Sequence, residues 1–127
     1  MKLHLTQAEG NNLITGITED EILINHRPYS TCLIVMPNTL VTDWRSNTVN
    51  QLSFETLTAD DFEKIAALKP EVVLLGTGKT HRFLHPKLCL ALSLQGVAVE
   101  CMTTAAACRT YNILMSEGRE VAAVLLL

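Results

Sequence analysis

With 127 residues, 48% of them hydrophobic and 18% charged, the chain has room for one domain, residues 1–127, and enough apolar surface to fold without metal or disulfide staples. Ten basic against thirteen acidic residues give a formal charge of -3 with no basic cluster, which excludes a nucleic-acid or anionic-membrane footprint. No apolar run reaches the roughly 18 residues that span a bilayer, and the N-terminus lacks the pattern of a signal peptide, so no membrane insertion and a cytoplasmic setting are expected.

Residues 12–17, a polar turn at 18–21 and Ile22-Leu23-Ile24 predict a hairpin, which His26-Arg27-Pro28-Tyr29 is expected to break. An apolar, β-branched run over 30–35 predicts a further strand, stopped by Pro37. From 38 to 57 the periodicity fades around the sole tryptophan, Trp44, which reads as a packing anchor or as a ligand platform.

Thr58-Ala-Asp-Asp predicts a helix start: Thr58 can cap it, and Asp60 and Asp61 place negative charge beside the free N–H groups of the first turn. Phe62, Ile65, Ala66 and Leu68 supply its buried side, and Pro70 ends it. Val72 to Leu75 is apolar at consecutive positions, as a parallel central strand covered on both faces requires. A second helix is predicted from His85-Pro86 to Gln95, closed by Gly96, with Leu88, Cys89, Ala91 and Leu92 inward. Residues 97–102 predict another strand. A third helix, capped by Thr103 or Thr104, runs to about Ser116, with Ala106, Ala107, Thr110, Ile113 and Leu114 as its packing stripe. Residues 121–126 give the last strand, so the second half alternates α and β on a largely parallel sheet.

The run Gly76-Thr-Gly-Lys-Thr resembles a phosphate loop only superficially. Such a loop needs a glycine at position 73, where Val73 sits inside the strand, and a helix opening at Lys79-Thr80, whereas Pro86 lies six residues beyond Thr80. What remains is a turn at the C-terminal end of a buried strand, either a plain connection or one wall of a ligand crevice. Lys79 is the residue of this run least expected to matter. In the third helix Arg109 and Asn112 share a face. Arg109 either meets a carboxylate or phosphate, or pairs on the surface with Glu100 or Glu117.

Four cysteines, Cys32, Cys89, Cys101 and Cys108, form no Cys-x-x-Cys pair and read as small hydrophobes. His81 and His85 would share a metal only on a helix, which Pro86 disfavours, so no metal and no cofactor is expected. Cys108 beside Arg109 has no histidine next to it to act as base, and no catalytic residue is assigned.

The residues from Glu71 to Gly78, then Arg82-Phe83 and Pro86, Gly96-Val97 and Glu100, Ala106 to Leu114, Glu117-Gly118-Arg119 and Val121 to Ala123 together resemble the domain of unknown function 498 family. The likeness extends to Tyr29, the run from Leu33 to Pro37, and Trp44. It implies an α/β fold of three layers: a central mixed, mostly parallel sheet, helices on one side, and a β-rich layer plus a helix on the other. It implies no established catalysis, and kinship with bacterial proteins, an adipogenesis-associated animal protein and a respiratory complex I assembly factor. The chain departs from the family at Thr103, where aspartate is frequent, at Cys32, where serine is, and at His81, where bacterial members often carry glutamine.

Thr77, Gly78, Thr103, Arg109 and Asn112 are therefore the candidate ligand-binding residues. Gly78 would admit a ligand to the backbone, Arg109 would neutralise it, and the other three would orient it. A small anionic ligand or a segment of a protein partner is the expected occupant. An assembly factor is the alternative, and an enzyme the third reading.

Overall fold

A computed structural model describes residues 10–42 and 53–127 of the chain. Trp44 lies outside the described residues. Among the described residues, eight strands and three α-helices follow in order: β1 (Ile14–Ile17), β2 (Ile22–Ile24), β3 (Arg27–Tyr29), β4 (Leu33–Met36), β5 (Thr39–Val41), α1 (Ala59–Ala67), β6 (Val72–Gly76), α2 (Leu90–Leu94), β7 (Ala98–Met102), α3 (Thr104–Ser116) and β8 (Val121–Leu125). Short 3-10 turns at Phe54–Thr56 and Pro86–Cys89 precede α1 and α2.

The first three strands form an antiparallel meander, β1-β2-β3. The predicted hairpin is present, with Ile17 opposite Ile22. The predicted break is instead a two-residue turn: Asn25 and His26 adopt φ of 51° and 70°, and Arg27-Pro28-Tyr29 returns as an edge strand. Pro28 is tolerated there because a sheet edge asks for no donor on its outer side.

The remaining strands form one mixed sheet in the order β5-β4-β8-β6-β7. β8 pairs antiparallel with β4 and parallel with β6, and β6 pairs parallel with β7. β6 is thus interior and parallel on both sides, while β8 occupies the middle position. β5 arises where the sequence pattern has already faded, because it is a three-residue edge strand returning from Pro37.

Alternation sorts the sheet's side chains into two cores. On one face Leu33, Val35, Leu74, Val121, Ala123 and Leu125 meet the meander and α3. On the other Ile34, Val73, Leu75, Ala122 and Val124 meet Phe62, Ile65 and Ala66 of α1 and Leu92 of α2. Three layers result: two helices, the mixed sheet, then a meander with the third helix.

The caps explain the helix limits. Thr58 accepts from Asp61 N–H, and Asp61 returns a 2.8 Å acceptor to Thr58 N–H. Gly96 and Gly118, at φ of 74° and 85°, close α2 and α3. The buried stripe of α3 is Thr104, Ala107, Cys108, Tyr111 and Met115, rotated from the predicted stripe. Ile113 is 58% exposed, whereas the Tyr111 ring fills the core and donates its hydroxyl to the Asn12 carbonyl at 2.7 Å.

Candidate functional site

The C-terminal ends of β6, β7 and β8 meet the first turn of α3, and one threonine ties them together. Thr104 Oγ1 accepts from Gly78 N–H at 2.8 Å and donates to the Leu126 carbonyl at 2.6 Å. Its own N–H donates to the Gly78 carbonyl at 2.9 Å. Leu126 N–H in turn donates to the Gly76 carbonyl at 3.0 Å. Helix and sheet approach closely here because residue 76 is glycine: a Cβ at Gly76 would stand 2.9 Å from Thr104 Cα and 3.3 Å from Ala107 Cβ.

Thr77 is buried at the same junction. Its N–H donates to the Met102 carbonyl at 2.8 Å, and its hydroxyl donates to the Thr80 carbonyl at 2.6 Å. That bond shapes the turn through Gly78, whose φ of 93° suits glycine. Thr103 caps α3 by accepting from Ala106 N–H at 3.3 Å.

Beside this junction lies a crevice of about 450 Å³. Gly78, Lys79, Thr103 and Ala105 form one side, Leu126 and Leu127 another, and Ile17, Thr18 and Glu19 of the β1–β2 turn close the third. Its mouth carries the Lys79–Glu19 ion pair at 3.0 Å, with both side chains 78% exposed.

Of the five predicted site residues, Gly78 and Thr103 line the crevice. Thr77 sits behind them, bonded into the turn. Asn112 lies farther along α3, where Oδ1 accepts from Ile14 N–H at 3.0 Å and Nδ2 donates to the Ile14 carbonyl at 2.7 Å. Arg109 is exposed and, among the described residues, forms no ion pair with Glu100, Glu117 or any other carboxylate. It stands one helical turn beyond Ala105, on the flank of α3 that borders the crevice. Lys79, the residue of its run least expected to matter, lines the crevice, and the wall from the β1–β2 turn escaped the sequence reading. Its only signal is Ile17, an apolar residue 36% exposed directly before a polar turn.

The Cys108 thiol is buried against the sheet, and burial pushes its pKa to about 11 despite the charge on Arg109. Residues 81–85 are not helical, and His85 Nδ1 accepts from Lys87 N–H at 3.1 Å. Among the described residues no three His, Cys, Asp or Glu side chains converge as a metal site would require. Arg82 stacks over the Phe54 ring at 5.1 Å and pairs with Glu55, whose carboxyl it holds below the usual range by that hydrogen bond.

The model of the proteins of unknown function DUF498/DUF598 matches residues 14–126. The chain belongs to this family. It is 34% identical over 106 residues to the mouse NADH dehydrogenase [ubiquinone] 1 alpha subcomplex assembly factor 3, covering 82% of this chain and 54% of that protein. The chain therefore spans about half the length of the curated relatives of this kind. A crystal structure of a Bordetella parapertussis protein superposes with a TM-score of 0.81 at 37% identity, covering 91% of this chain and 95% of that one. A Bordetella pertussis protein described as a Mth938-like domain gives a TM-score of 0.78 at 29% identity, covering 95% and 87%. By these superpositions this DUF498/DUF598 chain has the Mth938-like fold. Among the described residues no helix is long and apolar enough to cross a membrane.

Proposed function

We propose that this DUF498/DUF598 chain is a binding domain that takes up a segment of a protein partner in the crevice between the β1–β2 turn and the start of α3, and that it works in assembly rather than catalysis. The observation that carries the reading is the state of the polar groups around the crevice. The Gly78 N–H, the Thr77 and Thr104 hydroxyls and the Asn112 amide all bond within the fold. Ile17, Ala105 and Leu127 are left to meet an incoming group, and such apolar walls favour a side chain over an ion. The likeness to proteins named as assembly factors supports the same reading. Cys32, Cys89, Cys101 and Cys108 form no disulfide, which supports a cytoplasmic setting.

In this reading Gly78 and Thr103 border the occupant, Thr77 holds the turn that presents Gly78, and Asn112 anchors the wall that carries Ile17. Affinity purification of the full chain from native lysate, beside Ile17→Asp, tests it. A stable partner lost with the variant is expected. Recovery of nothing above background, or of the same proteins with both, overturns the reading.

A second occupant is favoured by Arg109, a cation with no ion pair among the described residues on the flank that carries Ala105. A small carboxylate or phosphate would sit between that guanidinium and the first turn of α3, where helix N–H groups favour negative charge. Thermal shifts with citrate and inorganic phosphate test this. A rise in the wild-type midpoint that Arg109→Ala abolishes supports it, and equal shifts in both proteins overturn it.

A further inference from the structure

The mixed sheet ends at β7 on its parallel side. The Met102 carbonyl accepts from Thr77 N–H, and the register Leu74↔Glu100 and Gly76↔Met102 turns the backbone groups of Ala98, Glu100 and Met102 toward β6. Alternation then directs the N–H and C=O of Val99 and Cys101 away from the sheet. Among the described residues these groups have no backbone partner outside the ladder.

Several of the features that usually protect an edge are missing from β7. It has no proline, no lysine and no bulge in its register. The other edges differ: β3 and β5 have three residues each, β3 carries Pro28, and β1 has a register shift between Ile14 and Gly16. The single charge of β7 is Glu100, exposed and without an ion pair among the described residues. The Val99 and Cys101 side chains face the core beneath α1 and α2, whereas Met102 faces the core beneath α3, with Glu100 on that same side by alternation.

Charge decides what can add to this edge. Antiparallel pairing of β7 with a second copy over its full length would centre on Glu100. Two carboxylates would then face each other at the close, non-hydrogen-bonded position, which is destabilising. A strand with lysine or arginine at that position reverses the sign. We propose that β7 is a docking edge for an extended segment of another protein, which adds as a further strand and sets a basic residue against Glu100, with apolar residues on either side of it. The bonds to Val99 and Cys101 supply attraction for any extended backbone, and Glu100 supplies the selection. Neither Val99 nor Cys101 lines the crevice, so this surface stands or falls independently of the crevice.

Amide exchange followed by NMR on the full chain tests it, with the acetylated peptide Ser-Thr-Val-Lys-Val-Thr-Ser and its counterpart with glutamate in place of lysine. The lysine peptide is expected to slow exchange at Val99 and Cys101 and to bind about fivefold more tightly than the glutamate peptide, the scale of a cross-strand charge pair. Glu100→Lys should reverse that preference. Equal protection by both peptides, or slow exchange at Val99 and Cys101 in the free chain, overturns the proposal. A concentration-dependent dimer that protects the same two amides without peptide would assign the edge to a second copy and overturn it as well.

Discussion

Asn112 of α3 holds both backbone groups of Ile14, accepting from its N–H at 3.0 Å and donating to its carbonyl at 2.7 Å. One side chain thus does for the end of β1 what a neighbouring strand would do, and it fixes the meander to the helix. Asn112→Leu removes both partners from a part-buried pair. Its expected cost is about 1–3 kcal/mol, the penalty of leaving such groups unsatisfied. Denaturant unfolding checks the stability, and amide exchange at Ile14 and Ile24 should accelerate before that of β6.

Gly76→Ala is expected to destabilise the chain by roughly 1–3 kcal/mol, the usual cost of forcing extra volume into a packed site. The added methyl would meet Thr104 Cα at 2.9 Å, and backbone cannot move aside as a flexible side chain can. Gly78→Ala meets nothing within 4 Å but must hold φ near 93°, so its strain has a different origin. Combined with Thr104→Val, Gly76→Ala should fall short of additivity, because both substitutions loosen the same junction. Urea midpoints of the two single variants and the double variant measure this.

Cys108 should resist alkylation at pH 8 in the native chain, where its thiol is held neutral by burial with a pKa of about 11. A thiol whose folded pKa is raised stabilises the fold below its unfolded value near 9, and that stability is lost as pH rises toward 11. The thermal midpoint should therefore fall across this window, and Cys108→Ala should fall less. Tyr111, whose phenol burial also pushes up, adds to the decline at higher pH. Mass spectrometry after iodoacetamide treatment, and melting curves from pH 8 to 11, read the two effects.

Glu71 accepts from Arg119 Nε at 2.8 Å, and that hydrogen bond holds its carboxyl below the usual range. The sign is opposite to that of Cys108: the contribution is present above the ordinary carboxylate pKa and is lost as pH falls through the lowered folded value. Glu71→Gln should consequently differ from wild type at pH 7 and converge with it in acid, by an amount small enough for this exposed pair that raised salt removes it. Melting curves at pH 7 and pH 2, with and without salt, check this.

Most helix limits were legible because they rest on local chemistry, whereas the layer order was implied by the family resemblance. Thr58 with Asp61, Pro86 at the start of its turn, and Gly96 and Gly118 act within a few residues of their own position. The buried face of α3 was harder, since residues 104–115 offer two apolar stripes of similar strength. What separates them is distant in sequence: the Tyr111 hydroxyl finds Asn12, and the Thr104 hydroxyl finds Leu126. The candidate site divides in the same way. Its Gly78 and Thr103 side is visible as a strand end beside a helix cap. The Ile17 wall depends on how the meander docks, which Asn112 determines across 98 positions of sequence.

β8 stands between β4 and β6, yet it follows both of them along the chain. During synthesis, then, the β4–β5 hairpin and the β6–β7 pair leave the ribosome as two half-sheets with their inner edges bare. They join only when residues 121–125 emerge. Until that moment the edges of β4 and β6 that β8 fills stand unpaired, and bare strand edges are templates for pairing with another chain.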